Sequence, residues 1–188
     1  MMIEEVVELT NEFRIENGLS PLSVDSNLQD AAQQHSQDMA LQDFFSHTGL
    51  DGSRPWDRAI EQGYESSFVG ENIAAGYLTA EDVVDGWIAS PGHRENMLNP
   101  DYNEIGVGYY YLEEDTGTIN YNSYWTQVFG QGEIEDPIGD SGFIISQTYH
   151  LNNLKDFDGN LHGLANFNGD SEISGNYRFQ GFADVQGN

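Results

Sequence analysis

The 188-residue chain contains no cysteine, so sulfur supplies neither a nucleophile nor a metal ligand. Any bound metal must rest on histidine, carboxylate or water. No two of the five histidines are spaced four apart, which removes the helix-borne His pair common in metal sites. Ser46 and Ser90 each stand near a histidine, the minimum for serine hydrolysis, yet neither lies in a nucleophile-elbow pattern. Near the C-terminus an oxygen-rich motif repeats: Asp156-Phe157-Asp158-Gly159-Asn160 and Asn166-Phe167-Asn168-Gly169-Asp170. Alternating oxygen side chains before a tight glycine turn are what a Ca²⁺ loop needs, because the cation gathers about six to eight oxygens. No glutamate follows at the position where an EF-hand closes its loop, and the flanks read as strand. The same residues also read as a pair of hairpin turns, where Asp-Gly and Asn-Gly reach positive φ. Residues 183–188 look like the start of a third copy, so the tail reads as the opening of a repeat array.

The elements that must position such groups come in two blocks. Ile3, Val6, Val7, Thr10 and Phe13 recur at helical spacing among glutamates, and Gly18 then Pro21 stop that helix. Asp25 or Ser26 caps a second helix whose apolar face runs Leu28, Ala31, Ala32, His35, Met39. His35 on that face reads as a hydrogen-bonded core histidine. Pro55 opens a short helix carrying Trp56 and Ile60, closing at Gly63. Thr79 begins another with Val83, Val84, Trp87 and Ile88, which Pro91-Gly92 interrupts. The Gly70-Glu71-Asn72 stretch reads as a glycine turn. Residues 105–112 and 121–129 read as strands, with 113–117 as the turn of an antiparallel hairpin. Helices first and strands after predict α+β layering. Glycines and Pro137 mark a linker from about residue 131, so the expected division is 1–132 and a β-rich segment 133–188.

Charge narrows the partners. Six Lys+Arg against 32 Asp+Glu give a net charge of -26, a field that repels phosphate backbones and anionic lipid heads, so nucleic acid is not an expected partner. Residues 1–132 hold 23 of the acids and four arginines, so the acidity belongs to the whole surface. No stretch approaches the roughly 20 apolar residues of a membrane-spanning helix, and Met1-Met2-Ile3-Glu4-Glu5 lacks the basic and apolar regions of a signal peptide.

Seven fragments in order resemble the CAP superfamily (cysteine-rich secretory, antigen 5, pathogenesis-related), and more narrowly its bacterial SCP-like extracellular branch. They are Asn11 to Arg14 with Gly18 to Leu22; His35 to Ala40; Phe44 to Gly49; Gly70 to Ile73; Trp87 with Ser90 to Asn96; Gly106 to Gly108; and Tyr124 to Gly130. The resemblance implies an α-β-α sandwich with a central antiparallel sheet and a surface cleft. It implies further that His47 and Glu71 are two members of a His/Glu tetrad that binds a divalent metal in some relatives. The other two tetrad positions fall on Ser90 and Tyr124, and His93 in the Ser-Pro-Gly-His-Arg segment is the substitute ligand. Two imidazoles and one carboxylate suit Zn²⁺, with water in the fourth place. Alternatively, His47 and Glu71 form a buried hydrogen-bonded pair that fixes the cleft wall. Asn72 and Gln127 are its expected neighbours.

The expected function is an extracellular or cell-surface binding or signalling module with an extracellular ligand, its cleft built around His47, Glu71 and His93. Two other readings stay open: a metal-dependent hydrolase using the same cluster, and a Ca²⁺-dependent surface adhesin governed by the tail.

Overall fold

The computed structural model describes residues 2–132, together with two short strands at 165–166 and 172–173. The chain divides into a unit Met1–Glu135 and a unit Asp136–Asn188. In the first, α1 (Met2–Glu16) buries Val6, Val7, Thr10 and Arg14 and ends at Gly18, whose φ of 79° only glycine adopts freely. After β1 (Ser23–Val24), the Asp25 carboxylate accepts from the amides of Asn27 and Leu28, both at 2.9 Å, and so starts α2 (Ser26–Leu41). Next come α3 (Pro55–Glu61), β2 (Val69–Ala75), α4 (Ala80–Ala89) capped by the Thr79 hydroxyl, and α5 (Pro91–Met97). Ser90 is the junction between the last two, where Pro91 breaks the helix as its missing N–H demands. Strands β3 (Glu104–Tyr111) and β4 (Ser123–Gly130) complete the unit.

The sheet order is β1-β3-β4-β2, with β2–β4 and β3–β4 antiparallel. The expected antiparallel sheet thus has one exception, the two-residue β1, which runs parallel to β3. Helices cover both faces. On one, Val6, Val83, Val84 and Trp87 meet Ile105, Val107, Trp125 and Phe129. On the other, Leu28, Ala32, Ala59 and Tyr64 meet Val128, and Met39, Ala40 and Phe44 meet Ile73 and Tyr124. Here α2 lies directly on β3, because Gly106 and Gly108 carry no side chain: a Cβ on either would run into the α2 backbone at Leu28, Gln29 and Ala32.

Two sequence expectations need correction. Glu71 is the third residue of a seven-residue strand, not part of a glycine turn. Residues 121 and 122 belong to a loop, not to the strand that follows, because Asn122 has φ 63° and its amide bonds Asp115. In the C-terminal unit β5 (Ala165–Asn166) pairs antiparallel with β6 (Glu172–Ile173). Of the six residues expected in Ca²⁺ loops, Asn166 ends β5, opposite Glu172; Asp156, Asp158, Asn160, Asn168 and Asp170 lie outside the described residues.

Candidate functional site

Edge strand β2 carries the centre of the site. Its alternation turns Glu71 and Ile73 toward α2 and α3, and Asn72 and Ala74 toward α4 and α5. The Glu71 side chain is 2 % exposed, and both of its oxygens are taken. Oε1 accepts from Nδ1 of His47 at 2.8 Å, and Oε2 accepts from Nη2 of Arg58 at 2.6 Å. A buried carboxylate without a partner would be costly, and Arg58, itself 8 % exposed, removes that cost. Arg58 also donates to the carbonyls of His47 (3.1 Å) and Ser53 (3.0 Å), fastening α3 to the loop that presents the histidine. His35 fixes the same loop from α2: its Nε2–H donates to the Ser46 carbonyl at 3.0 Å and lies 3.9 Å from Glu71 Oε1. Burial, above all, holds the His35 pKa below its ordinary value, so the ring is neutral.

His47 is the exposed member of this group, with 51 % of its side chain open to solvent. An ionised Glu71 can only accept, so the Nδ1 hydrogen of His47 is committed to the carboxylate and Nε2 is the ring nitrogen left over. His93, on α5, has its pKa held below the ordinary value, first by burial and second by the charge that His47 carries when protonated. The wall behind it is polar and fully wired. Asn72 donates to the His93 carbonyl (3.1 Å) and to Gln127 Oε1 (3.0 Å), and accepts from Asn96 (2.9 Å). Asn96 donates also to the Glu71 carbonyl at 3.1 Å, and Gln127 donates to Thr10 of α1 at 2.8 Å. Asn72, Gln127 and Thr10 are wholly buried, so the network fixes α5, and with it His93, against the sheet.

The structure therefore gathers His47, Glu71, Asn72, Gln127 and the His93 backbone, but it sets Tyr124 apart. The Tyr124 hydroxyl donates to Asp115 Oδ2 at 2.6 Å and belongs to the packing of the 112–122 loop. Ser90 makes no cap bond with its side chain. Among the described residues no group of three or more His, Cys, Asp or Glu stands where it could hold a metal ion. The chemistry of the donor set agrees: one partner of Glu71 is already a cation. Nothing in the sequence pattern singled out Arg58. Its available signal was scarcity, since a domain with four arginines and no lysine among 132 residues has few cations to answer a buried carboxylate.

Comparisons with known proteins give the family and the fold. The sequence profile of the CAP family, described as the cysteine-rich secretory protein family, matches residues 7–129. The uncharacterized protein YkwD of Bacillus subtilis (strain 168) is 41 % identical over 126 residues, covering 67 % of this chain and 46 % of that protein. The chain thus spans less than half the length of that curated relative. Among solved structures, an extracellular protein containing a SCP domain from Bacillus anthracis str. Ames superposes with a TM-score of 0.57 at 32 % identity, covering 68 % of this chain and 39 % of that one. An outer surface protein from Borrelia burgdorferi gives the same TM-score of 0.57 at 24 % identity over 69 % of this chain and 92 % of its own; at that identity the likeness shows the fold alone.

Proposed function

The chain belongs to the CAP family of cysteine-rich secretory proteins, and on that premise we propose that it is an extracellular binding module whose cleft presents His47 and His93 to a polar, non-anionic ligand. The observation that carries this reading is the double engagement of Glu71. With one oxygen on His47 Nδ1 and the other on Arg58, the carboxylate orients an imidazole instead of acting on a substrate or an ion. A neutral His47 offers Nε2 as an acceptor to a ligand hydroxyl or amine, and His93, whose pKa burial lowers, adds a second imidazole. The acidic surface disfavours anionic ligands. An extracellular setting is supported by the description of the Bacillus anthracis neighbour as an extracellular protein; among the described residues no helix is long and apolar enough to cross a membrane.

Calorimetric titration of the full chain with Zn²⁺, repeated on His47→Ala, tests this. Binding absent, or weak and unchanged by the substitution, supports a binding cleft. A site of micromolar or tighter affinity that vanishes in His47→Ala overturns it in favour of a metal-dependent hydrolase, in which His47 and His93 would be ligands and Glu71 ligand or general base. A thermal midpoint of the full chain that rises with added Ca²⁺ and is indifferent to His47→Ala would instead move the function to the tail, as in a Ca²⁺-dependent adhesin.

A further inference from the structure

Two aromatic rings stand in water beside the His47 loop. Phe45 is 39 % exposed and Tyr121 is 49 % exposed, and their rings meet edge to face with centroids 6.1 Å apart. Behind them Tyr121 leans on the buried Tyr124 ring at 6.5 Å. Two residues before Phe45 stands Asp43, with φ 57°, and one residue after Tyr121 stands Asn122, with φ 63°. Among the described residues these are the non-glycine positions with positive φ, a conformation that costs energy and persists where surrounding structure imposes it.

Hydrogen bonds from both sides do the imposing. The Asp43 carboxylate accepts from the amides of Thr118 (2.9 Å) and Ile119 (2.6 Å), tying the end of α2 to the loop that carries Tyr121. Asp115 Oδ2 accepts from the amides of Tyr121 and Asn122, both at 2.9 Å, as well as from the Tyr124 hydroxyl. Asp43 and Asp115 thus fix the two backbone segments that carry Phe45 and Tyr121.

Charge names the occupant. Glu113 and Glu114 are exposed on the same loop, and the amide bonds from Thr118 and Ile119 keep Asp43 ionised. Residues 1–132 contain no lysine, and each of their four arginines is engaged internally. Arg14 donates to backbone carbonyls, Arg54 pairs with Asp57, Arg58 holds Glu71, and Arg94 donates to the Ile88 carbonyl. Aromatic faces attract ammonium and guanidinium groups, and the carboxylates of the same loop lengthen the reach of that attraction. From these placements we infer that the Phe45–Tyr121 platform docks a cationic peptide segment, seating a lysine or arginine side chain against the two rings. This goes beyond the cleft reading and does not require the His47 site to be filled.

Fluorescence anisotropy of a labelled decapeptide of alternating lysine and glycine, added to the full chain at about 150 mM salt, where charges beyond roughly 8 Å are screened, provides the test. The expected result is measurable binding, weakened about fivefold or more by Phe45→Leu together with Tyr121→Leu, changes that keep apolar area and remove the π faces. The Zn²⁺ titration does not read this platform, which separates failure here from failure of the cleft reading. A glutamate-glycine peptide of the same length should not bind. Undiminished binding by the double variant would overturn the inference, since diffuse charge would then suffice; so would the absence of binding, or equal binding of a serine-glycine peptide. Thermal midpoints within about 2 °C of the parent establish that the variants are folded, as expected for exposed positions.

Discussion

Arg58 Nη2 lies 2.6 Å from Glu71 Oε2, and the same guanidinium reaches the His47 carbonyl at 3.1 Å. One cation therefore neutralises the carboxylate and also fixes the residue that the carboxylate orients. The pair is buried, so its value is best seen by breaking it from one side.

Arg58→Met should destabilise the chain by about 3–5 kcal/mol, because it strands a buried negative charge. Adding Glu71→Gln should recover a large part of that loss. Urea unfolding of the two singles and the double gives the coupling energy. Additive losses would show that Arg58 and Glu71 act independently and that the carboxylate does not need its cation.

Gly108→Ala should be disproportionately harmful for a single methyl group. The added Cβ meets the α2 backbone at Ala32 and Gln33, which cannot turn aside as a side chain could. A loss of about 1–3 kcal/mol or more is expected, as for other overpacked cores. Gly92→Ala is the control, since a Cβ there meets nothing within 4 Å. Similar thermal midpoints for the two variants would mean that α2 does not sit on β3 as described.

Acidification should destabilise the fold as the pH falls through the histidine range. Burial lowers the His35 pKa, with Arg58 reinforcing it and Glu71, the Ser46 carbonyl and Asp38 opposing. The folded chain then binds fewer protons than the unfolded chain between the lowered value and 6.5, so stability is full above that window and falls as pH drops through it. His93 shifts in the same direction, through burial and the neighbouring His47. Urea midpoints measured from about pH 7.5 to about pH 5 should decline, and His35→Gln should start lower but decline less. A flat profile for the parent chain would contradict the neutral, enclosed His35.

Much of this was legible in the sequence, and the limits have physical causes. The helices showed themselves through periodicity and through caps such as Asp25 and Thr79, which act on their own backbone within three residues. The motif likeness tied His47 to Glu71, and the two are 2.8 Å apart, although only Glu71 is buried and His47 is half exposed. Strand β2 was hidden because Glu71 and Asn72 are polar residues buried on opposite faces, which erases the alternation by which a strand is recognised. Arg58 and Asn96 were hidden because their partners lie 13 and 24 residues away, beyond any local pattern. Tyr124 looked like a cleft residue by position, whereas its hydroxyl answers Asp115, a relationship that only the loop's folded path creates.

Long-range ¹H–¹⁵N correlation of the histidine rings at about pH 7.5, recorded before and after one equivalent of Zn²⁺, is the most direct test of the site. The predicted spectrum shows His47 protonated at Nδ1 with an unprotonated Nε2, and no change on adding the metal. A His47 ring protonated at Nε2, or a Zn²⁺-induced shift shared by His47 and His93, would contradict it.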